Sequence, residues 1–120
     1  MNSAFQRLQV AIGVRDLSAS LAFYAALGFE IRTQMGDPPA LALLGRDAVS
    51  LALVQTPTPA VAEFACSYIY VDDVDAAHAE CVEARVPIVI ALTEHPWGNR
   101  DFVVRDPDGH RIAIGWAPPG

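Results

Sequence analysis

The residues best suited to chemistry lie in the last third of the chain, around Trp97. A tryptophan in a loop offers a flat face on which a ligand can stack, or it can simply order the rim of a pocket. Arg100 and Glu94 flank Trp97 and could clamp a polar ligand or form a solvated surface pair. His95 could act as an acid or base at a pocket mouth, or lie exposed. The pattern favours a binding site.

A second group of candidates precedes this region. Tyr68 and Tyr70 alternate along a predicted strand and therefore share one of its faces. Because the neighbouring positions on that face are small, we expect both tyrosines to line a ligand cavity. Gln9 is expected to point inward as a hydrogen-bonding group. Cys66 is expected to be a passive pocket-wall residue, since the sequence implies no histidine or aspartate partner for a nucleophile.

Composition limits the classes of protein to which the chain can belong. Its 120 residues, 52% of them hydrophobic, predict a single globular domain over 1–120. The net charge is -6 and no basic cluster exists, which argues against nucleic-acid binding. No apolar run is long enough for a membrane span, and the first residues do not resemble a secretory signal, so we expect a cytoplasmic protein. Cys66 and Cys81 match no zinc or redox motif and are expected to be reduced and mostly buried.

An internal repeat divides the domain into two modules. A shift of 57 positions maps the segment 14–19 onto 71–76. Each copy is predicted to fold as a strand, a helix and then a strand meander. We expect module one to span 1–58 and module two 65–120, with a linker at about 56–64 that is rich in threonine and proline.

Local signals predict where the elements begin and end. Ser18 is expected to cap the first helix, and Asp73 or Asp75 the second. Gly28 is placed to end the first helix in a left-handed conformation. The segment 106–109, Asp-Pro-Asp-Gly, predicts the turn of a closing hairpin. Strands are predicted near 7–14, 29–34, 40–44, 48–55, 66–71, 88–92, 101–105 and 110–116.

The predicted strands have two unlike faces. One face carries branched aliphatic side chains suited to packing under the helices, and the other carries small residues with two tyrosines. A solvated face would carry more charge, and a second core face would carry larger aliphatics. The sequence therefore predicts an α+β fold in which two βαβββ modules form a curved mixed sheet around a pocket.

Several segments resemble the glyoxalase/bleomycin-resistance/dioxygenase superfamily, also called the vicinal oxygen chelate superfamily. The resemblance covers nearly the whole chain and implies two βαβββ modules around a pocket, often in a homodimer. The matching segments are 14–17, Phe23-Tyr24, Leu27-Gly28-Phe29, 71–74, Pro96-Trp97-Gly98 and 106–109.

The metal site that the resemblance implies is not supported by the residues present. Many enzymes of the superfamily hold a divalent metal through four strand positions, which correspond here to Gln9, Ala52, Cys66 and Ala113. Alanine has no donor atom, and one amide with one thiolate makes a poor site for magnesium, iron or nickel. We therefore expect no metal, no other cofactor and no catalytic residue.

The remaining resemblance is to the bleomycin-resistance-like, metal-free branch. It implies a homodimer that sequesters a small aromatic or cationic molecule, such as an antibiotic, in an aromatic-lined pocket. Two alternatives stay open: a metal-dependent lyase, isomerase or dioxygenase with an altered site, and a regulatory or interaction module. The predicted ligand-binding residues are Trp97, Tyr68, Tyr70, Gln9, Cys66, Arg100 and Phe102.

Overall fold

Both modules fold as a strand, a helix and three further strands, as predicted. A computed structural model describes residues 3–120; residues 1 and 2, where predicted module one begins, lie outside the described residues. Module one contains β1 (Val10–Val14), α1 (Leu17–Ala26), β2 (Glu30–Met35), β3 (Leu41–Arg46) and β4 (Val49–Gln55). Module two contains β5 (Ala65–Tyr70), α2 (Val74–Glu83), β6 (Ile88–Glu94), β7 (Arg100–Arg105) and β8 (Arg111–Trp116).

Each module builds its own four-stranded mixed sheet. The strand orders are β1-β4-β3-β2 and β5-β8-β7-β6, with the first and last strand of each module parallel and the other pairs antiparallel. The α+β class and the two βαβββ modules are therefore confirmed. The two helices are themselves 57 positions apart at both ends, which gives the sequence repeat a structural meaning.

The helix caps follow the repeat, and one of them corrects the prediction. Asp16, and not Ser18, caps α1: its backbone is extended and its Oδ1 accepts from the amide of Ala19 at 3.2 Å. Asp73 caps α2 in the same way, accepting from Ala76 at 3.0 Å. Asp16 and Asp73 occupy equivalent positions of the repeat. Ser18 was predicted from the capping propensity of serine, which takes no account of the repeat.

One hydrophobic core joins the two modules. The aliphatic faces of both sheets pack against the helices, and the core draws residues from β1, β4, β7 and β8 as well as from α1 and α2. We call the opposite side of each sheet its open face. The largest side chains with almost no exposure are Tyr24, Phe102, Leu53, Ile112 and Val14.

Polar contacts fasten the closing hairpin of module two to module one. The Tyr24 hydroxyl donates to Oδ2 of Asp106 at 2.9 Å, and both residues are buried. Nε2 of His110 lies 2.7 Å from the carbonyl oxygen of Gly13, so this nitrogen must carry the proton. The predicted turn at 106–109 thus also serves as the junction between the modules.

No helix among residues 3–120 is long and apolar enough to cross a membrane.

Candidate functional site

Aromatic side chains cluster on the open face of the second sheet and in the loop beside it. The rings of Tyr68 and Tyr70 lie 4.7 Å apart at an angle of 45°. Trp97, which is 68% exposed, stacks on the imidazole of His95 at 4.6 Å and 9°. One face of the indole is therefore covered by His95, and the remaining surface is available to a ligand. We call Tyr68, Tyr70 and Trp97 the aromatic platform.

A single buried carboxylate ties the platform together. Asp101, on β7, is 9% exposed and accepts from the Tyr68 hydroxyl at 2.8 Å through Oδ2. Its Oδ1 lies 2.8 Å from Nε2 of His95, which donates because a carboxylate can only accept. The side-chain amide of Asn99 donates to the Tyr68 hydroxyl at 3.1 Å. Asp101 thus fixes Tyr68 directly and Trp97 through the stacked imidazole.

Burial and Asp101 favour the protonated form of Tyr68. Burial raises the pKa of the Tyr68 hydroxyl, and the hydrogen bond to Asp101 raises it further, whereas the hydrogen bond from Asn99 opposes the shift. A protonated phenol donates to the carboxylate, as the geometry requires. The ring also passes directly over Gly115, the strand partner of Tyr70. A Cβ at position 115 would contact the Tyr68 hydroxyl and lie 2.6 Å from Cβ of Asp101, so only glycine leaves room for this arrangement.

Two predicted ligand-binding residues lie on the wrong side of the sheet. Phe102 alternates with Asp101, points to the helices and is completely buried, where its ring meets His78 edge-on at 5.0 Å. Arg100 has the same orientation and binds Asp75 of α2 at 2.6 Å. Their role in ligand binding stays a prediction, and the platform does not include them, because the side chains of β7 alternate and position 101 faces the platform.

Gln9 and Cys66 lie away from the platform network. Gln9 precedes β1, is exposed, and makes no side-chain hydrogen bond within residues 3–120. Cys66 lies at an irregularity of β5 and is exposed, so the expectation of a mostly buried thiol holds for Cys81 alone. Partial withdrawal of the Cys66 sulfur from solvent raises the pKa of the thiol, which leaves it a poor nucleophile at neutral pH.

The strand positions that correspond to the metal site implied by the resemblance do not fit a metal. Ala52 and Ala113 are both 5% exposed and supply no donor atom. In the part of the chain that the structure describes, no three His, Cys, Asp or Glu side chains come together as a ligand set. The donor set of these positions is therefore unsuited to metal chemistry.

The sequence reasoning missed the residues that organise the platform. Asp101 was assigned to a strand without a role, although its position alternates with the aliphatic positions 102 and 104 and so faces the open side. Asn99 and Gly115 carried no local signal, because their role depends on Tyr68 from a distant strand. His95 was weighed as an exposed loop residue, whereas it is half-buried between Trp97 and Asp101.

Comparison with solved structures identifies the same fold in several proteins. A bleomycin-binding protein in complex with bleomycin is 21% identical, with a TM-score of 0.79 over 95% of this chain and 100% of that one. A glyoxalase/bleomycin resistance protein from Catenulispora acidiphila DSM 44928 is 27% identical, with a TM-score of 0.76 over 93% and 98%. A lactoylglutathione lyase from Agrobacterium tumefaciens is 20% identical, with a TM-score of 0.74 over 97% and 96%.

A search of curated proteins found no match to the sequence. A family model does match, and it covers residues 6–114, which include both helices and all the strands except the last two residues of β8. On this match the chain belongs to the glyoxalase/bleomycin resistance protein/dioxygenase superfamily.

Proposed function

We propose that the chain binds a small aromatic or cationic molecule on the aromatic platform and sequesters it unchanged, as an antibiotic-binding protein would. The observation that carries this proposal is the network in which the buried Asp101 holds Tyr68 and, through His95, Trp97. Side chains fixed before binding lose little conformational entropy when the ligand arrives, which raises affinity.

The chemistry of the platform suits a planar ligand with positive charge. Indole and phenol faces attract cations as well as aromatic rings. The carboxylate of Asp101 lies beneath the platform, and Arg100, the basic residue nearest to Trp97 in sequence, turns away to bind Asp75. The similar fold of a bleomycin-binding protein supports a drug-like ligand.

Tryptophan fluorescence tests the proposal directly, because the chain has two tryptophans. Trp116→Phe leaves Trp97 as the single reporter, and titration with bleomycin and a panel of cationic aromatic compounds should change its emission saturably. Trp97→Ala should abolish binding measured by calorimetry, whereas Trp116→Ala, the matched control at the end of β8, should retain it. Recovery of a chemically altered ligand would contradict sequestration, and absence of binding across the panel would contradict the proposed ligand class.

We also propose that the platform operates in a homodimer. All six residues of the edge strand β2 are exposed, and the large apolar side chains of Phe5 and Leu8 are 89% and 79% exposed. The exposed edge strand and these apolar side chains support an interface with a second copy of the chain. Light scattering after size exclusion should give twice the chain mass of 12.9 kDa. A monomer at micromolar concentration would contradict this proposal.

A further inference from the structure

A cavity lies between the two modules on the helix side, and Tyr70 of the aromatic platform is among the residues that line it. It has a volume of about 380 Å³ and is bounded by the end of α1, the turn between β3 and β4, the end of β5, and α2. Leu27, Phe29, Cys81 and Ile114 form its inner wall, and each is at most 7% exposed. The volume falls within the range of small-molecule pockets, roughly 300–1,000 Å³.

The repeat explains why a cavity is present at this junction. The shift of 57 positions that superimposes α1 on α2 maps Tyr24 onto Cys81. Tyr24 fills the equivalent space at the other junction of the modules, where its ring is completely buried and its hydroxyl donates to Asp106. The Cys81 side chain lacks the phenol ring of Tyr24. The junction at Cys81 therefore keeps as a cavity the volume that the Tyr24 ring fills at the other junction.

The turn at the cavity is also shorter than the turn at the junction that Tyr24 fills. Five residues, 106–110, connect β7 to β8, and they supply the carboxylate that accepts from Tyr24. Only two residues, Asp47 and Ala48, connect β3 to β4 at the cavity. The shorter turn covers less of the junction, so the cavity opens to solvent beside it.

The mouth of the cavity is acidic. Asp47, Asp72 and Glu80 are exposed there. The one guanidinium at the mouth belongs to Arg46. It donates to the Leu27 carbonyl at 2.7 Å and to Glu80 at 3.2 Å, and it lies 3.8 Å from Asp47, so Asp72 is the carboxylate at the mouth with no ion pair among the described residues. Deeper in the cavity, burial raises the pKa of the Cys81 thiol, so the sulfur is uncharged at neutral pH. The inner wall thus suits an apolar ring and the mouth suits a cation.

We propose that this cavity is a second ligand site, which binds a monocyclic aromatic amine with its ring against Cys81 and its ammonium group at the mouth. The ring would take the place that the Tyr24 phenol occupies at the equivalent junction. Apolar cavities in proteins do bind single aromatic rings, even at roughly 150 Å³. Tyr70 lines the cavity and also belongs to the aromatic platform, whereas Tyr68 and Trp97 do not line it, so variants of Cys81 and Trp97 distinguish the two sites.

Tyramine is a suitable probe, because it is the side chain of tyrosine with an amine tail. Binding followed by amide chemical shifts should saturate with a Kd of about 1 mM, as expected for so few atoms. Cys81→Phe fills the cavity and should weaken binding at least tenfold. The matched control Val82→Phe adds the same ring at the neighbouring position on α2, which is 57% exposed and outside the cavity, and should leave binding unchanged. The carboxylate analogue 4-hydroxyphenylacetate should bind roughly two- to fivefold more weakly.

Alkylation of Cys81 gives a second measurement that does not depend on the folding of Cys81→Phe. In a Cys66→Ser background, tyramine should slow modification of the Cys81 thiol in proportion to its occupancy. Unchanged alkylation, or no saturable binding, would overturn the proposal. If Trp97→Ala lost tyramine binding and Cys81→Phe retained it, the tyramine ring would be assigned to the aromatic platform and the proposal would be overturned. Equal affinity for the carboxylate analogue would overturn the choice of an amine.

Discussion

Tyr24→Phe tests the contact that joins the modules most directly. The substitution removes one hydroxyl and leaves the buried ring in place. The lost hydrogen bond, 2.9 Å to the buried carboxylate of Asp106, is charge-assisted, and such bonds contribute about 1.5–3 kcal/mol. Oδ1 of Asp106 still accepts from the amides of Asp108 and His110, so the carboxylate keeps two donors. We therefore expect the free energy of unfolding to fall by about 2 kcal/mol.

Urea unfolding followed by circular dichroism measures this loss, and thermal unfolding gives an independent value. With an unfolding entropy of about 2.1 cal/mol/K per residue, a loss of about 2 kcal/mol lowers Tm by roughly 8 °C for this chain length. Tyr70→Phe is the matched control, because Tyr70 is 68% exposed, and it should change stability by less than about 0.5 kcal/mol. Equal stability of the two variants would refute the assignment of Tyr24 as the fastening residue.

Tyr24→Phe should also change how the stability of the protein depends on pH above pH 10. Burial, and then the charge of Asp106, raises the pKa of Tyr24 far above the ordinary tyrosine value of 10.0. Above pH 10 the unfolded chain loses this proton while the folded chain keeps it, so stability decreases as pH rises, by about 1.4 kcal/mol per pH unit. This contribution is fully present below pH 10. Tyr24→Phe should lack this part of the slope, and an unchanged slope would contradict the burial argument.

Three further outcomes follow from the platform, the thiols and the metal positions. Gly115→Ala should lower the free energy of unfolding by about 1–3 kcal/mol in a urea titration, and a crystal structure should show Tyr68 displaced from Asp101. Unchanged stability would mean that the Tyr68 ring does not need the space above position 115. Cys66 should be alkylated well before Cys81 in the native protein. Both rates should rise with pH because the thiolate reacts, and burial, which raises both thiol pKa values, should shift that rise to higher pH. Equal native rates, measured by mass spectrometry, would contradict the burial of Cys81. Protein purified without chelators should hold well under one equivalent of divalent metal by elemental analysis, and a stoichiometric metal would overturn the argument from the two alanines.

Periodicity and repetition were sufficient to predict the architecture. The alternation of aliphatic and small residues assigned each strand a helix-facing side, and the 57-residue shift divided the chain into two modules. The structure agrees on both points, and strand boundaries differ from the predicted ones by at most three residues. Local patterns predict local elements well because hydrophobic burial on one face decides them.

The site was harder to predict, because its residues depend on contacts between distant segments. Alternation placed Tyr68 and Tyr70 on one face of a strand, and the loop position and the resemblance singled out Trp97. Asp101 acquires its role only when β7 lies beside β8 and the Tyr68 ring reaches across Gly115. Arg100 and Phe102 face the helices and not the platform, because residues on alternate positions of a strand face opposite ways.

The open face of the second sheet can hold the platform or a metal of the type that the superfamily resemblance implies, but not both. Ala113 is 5% exposed and pairs with Tyr68 on one side and Val103 on the other. A glutamate at this position would place a charged group in space that these neighbours enclose, and burial of an unpaired carboxylate is costly. It would also repel the carboxylate of Asp101 on the same face, which Tyr68 and His95 share. The small residue at 113 therefore suits the aromatic network, and we expect a glutamate at this position to weaken the platform.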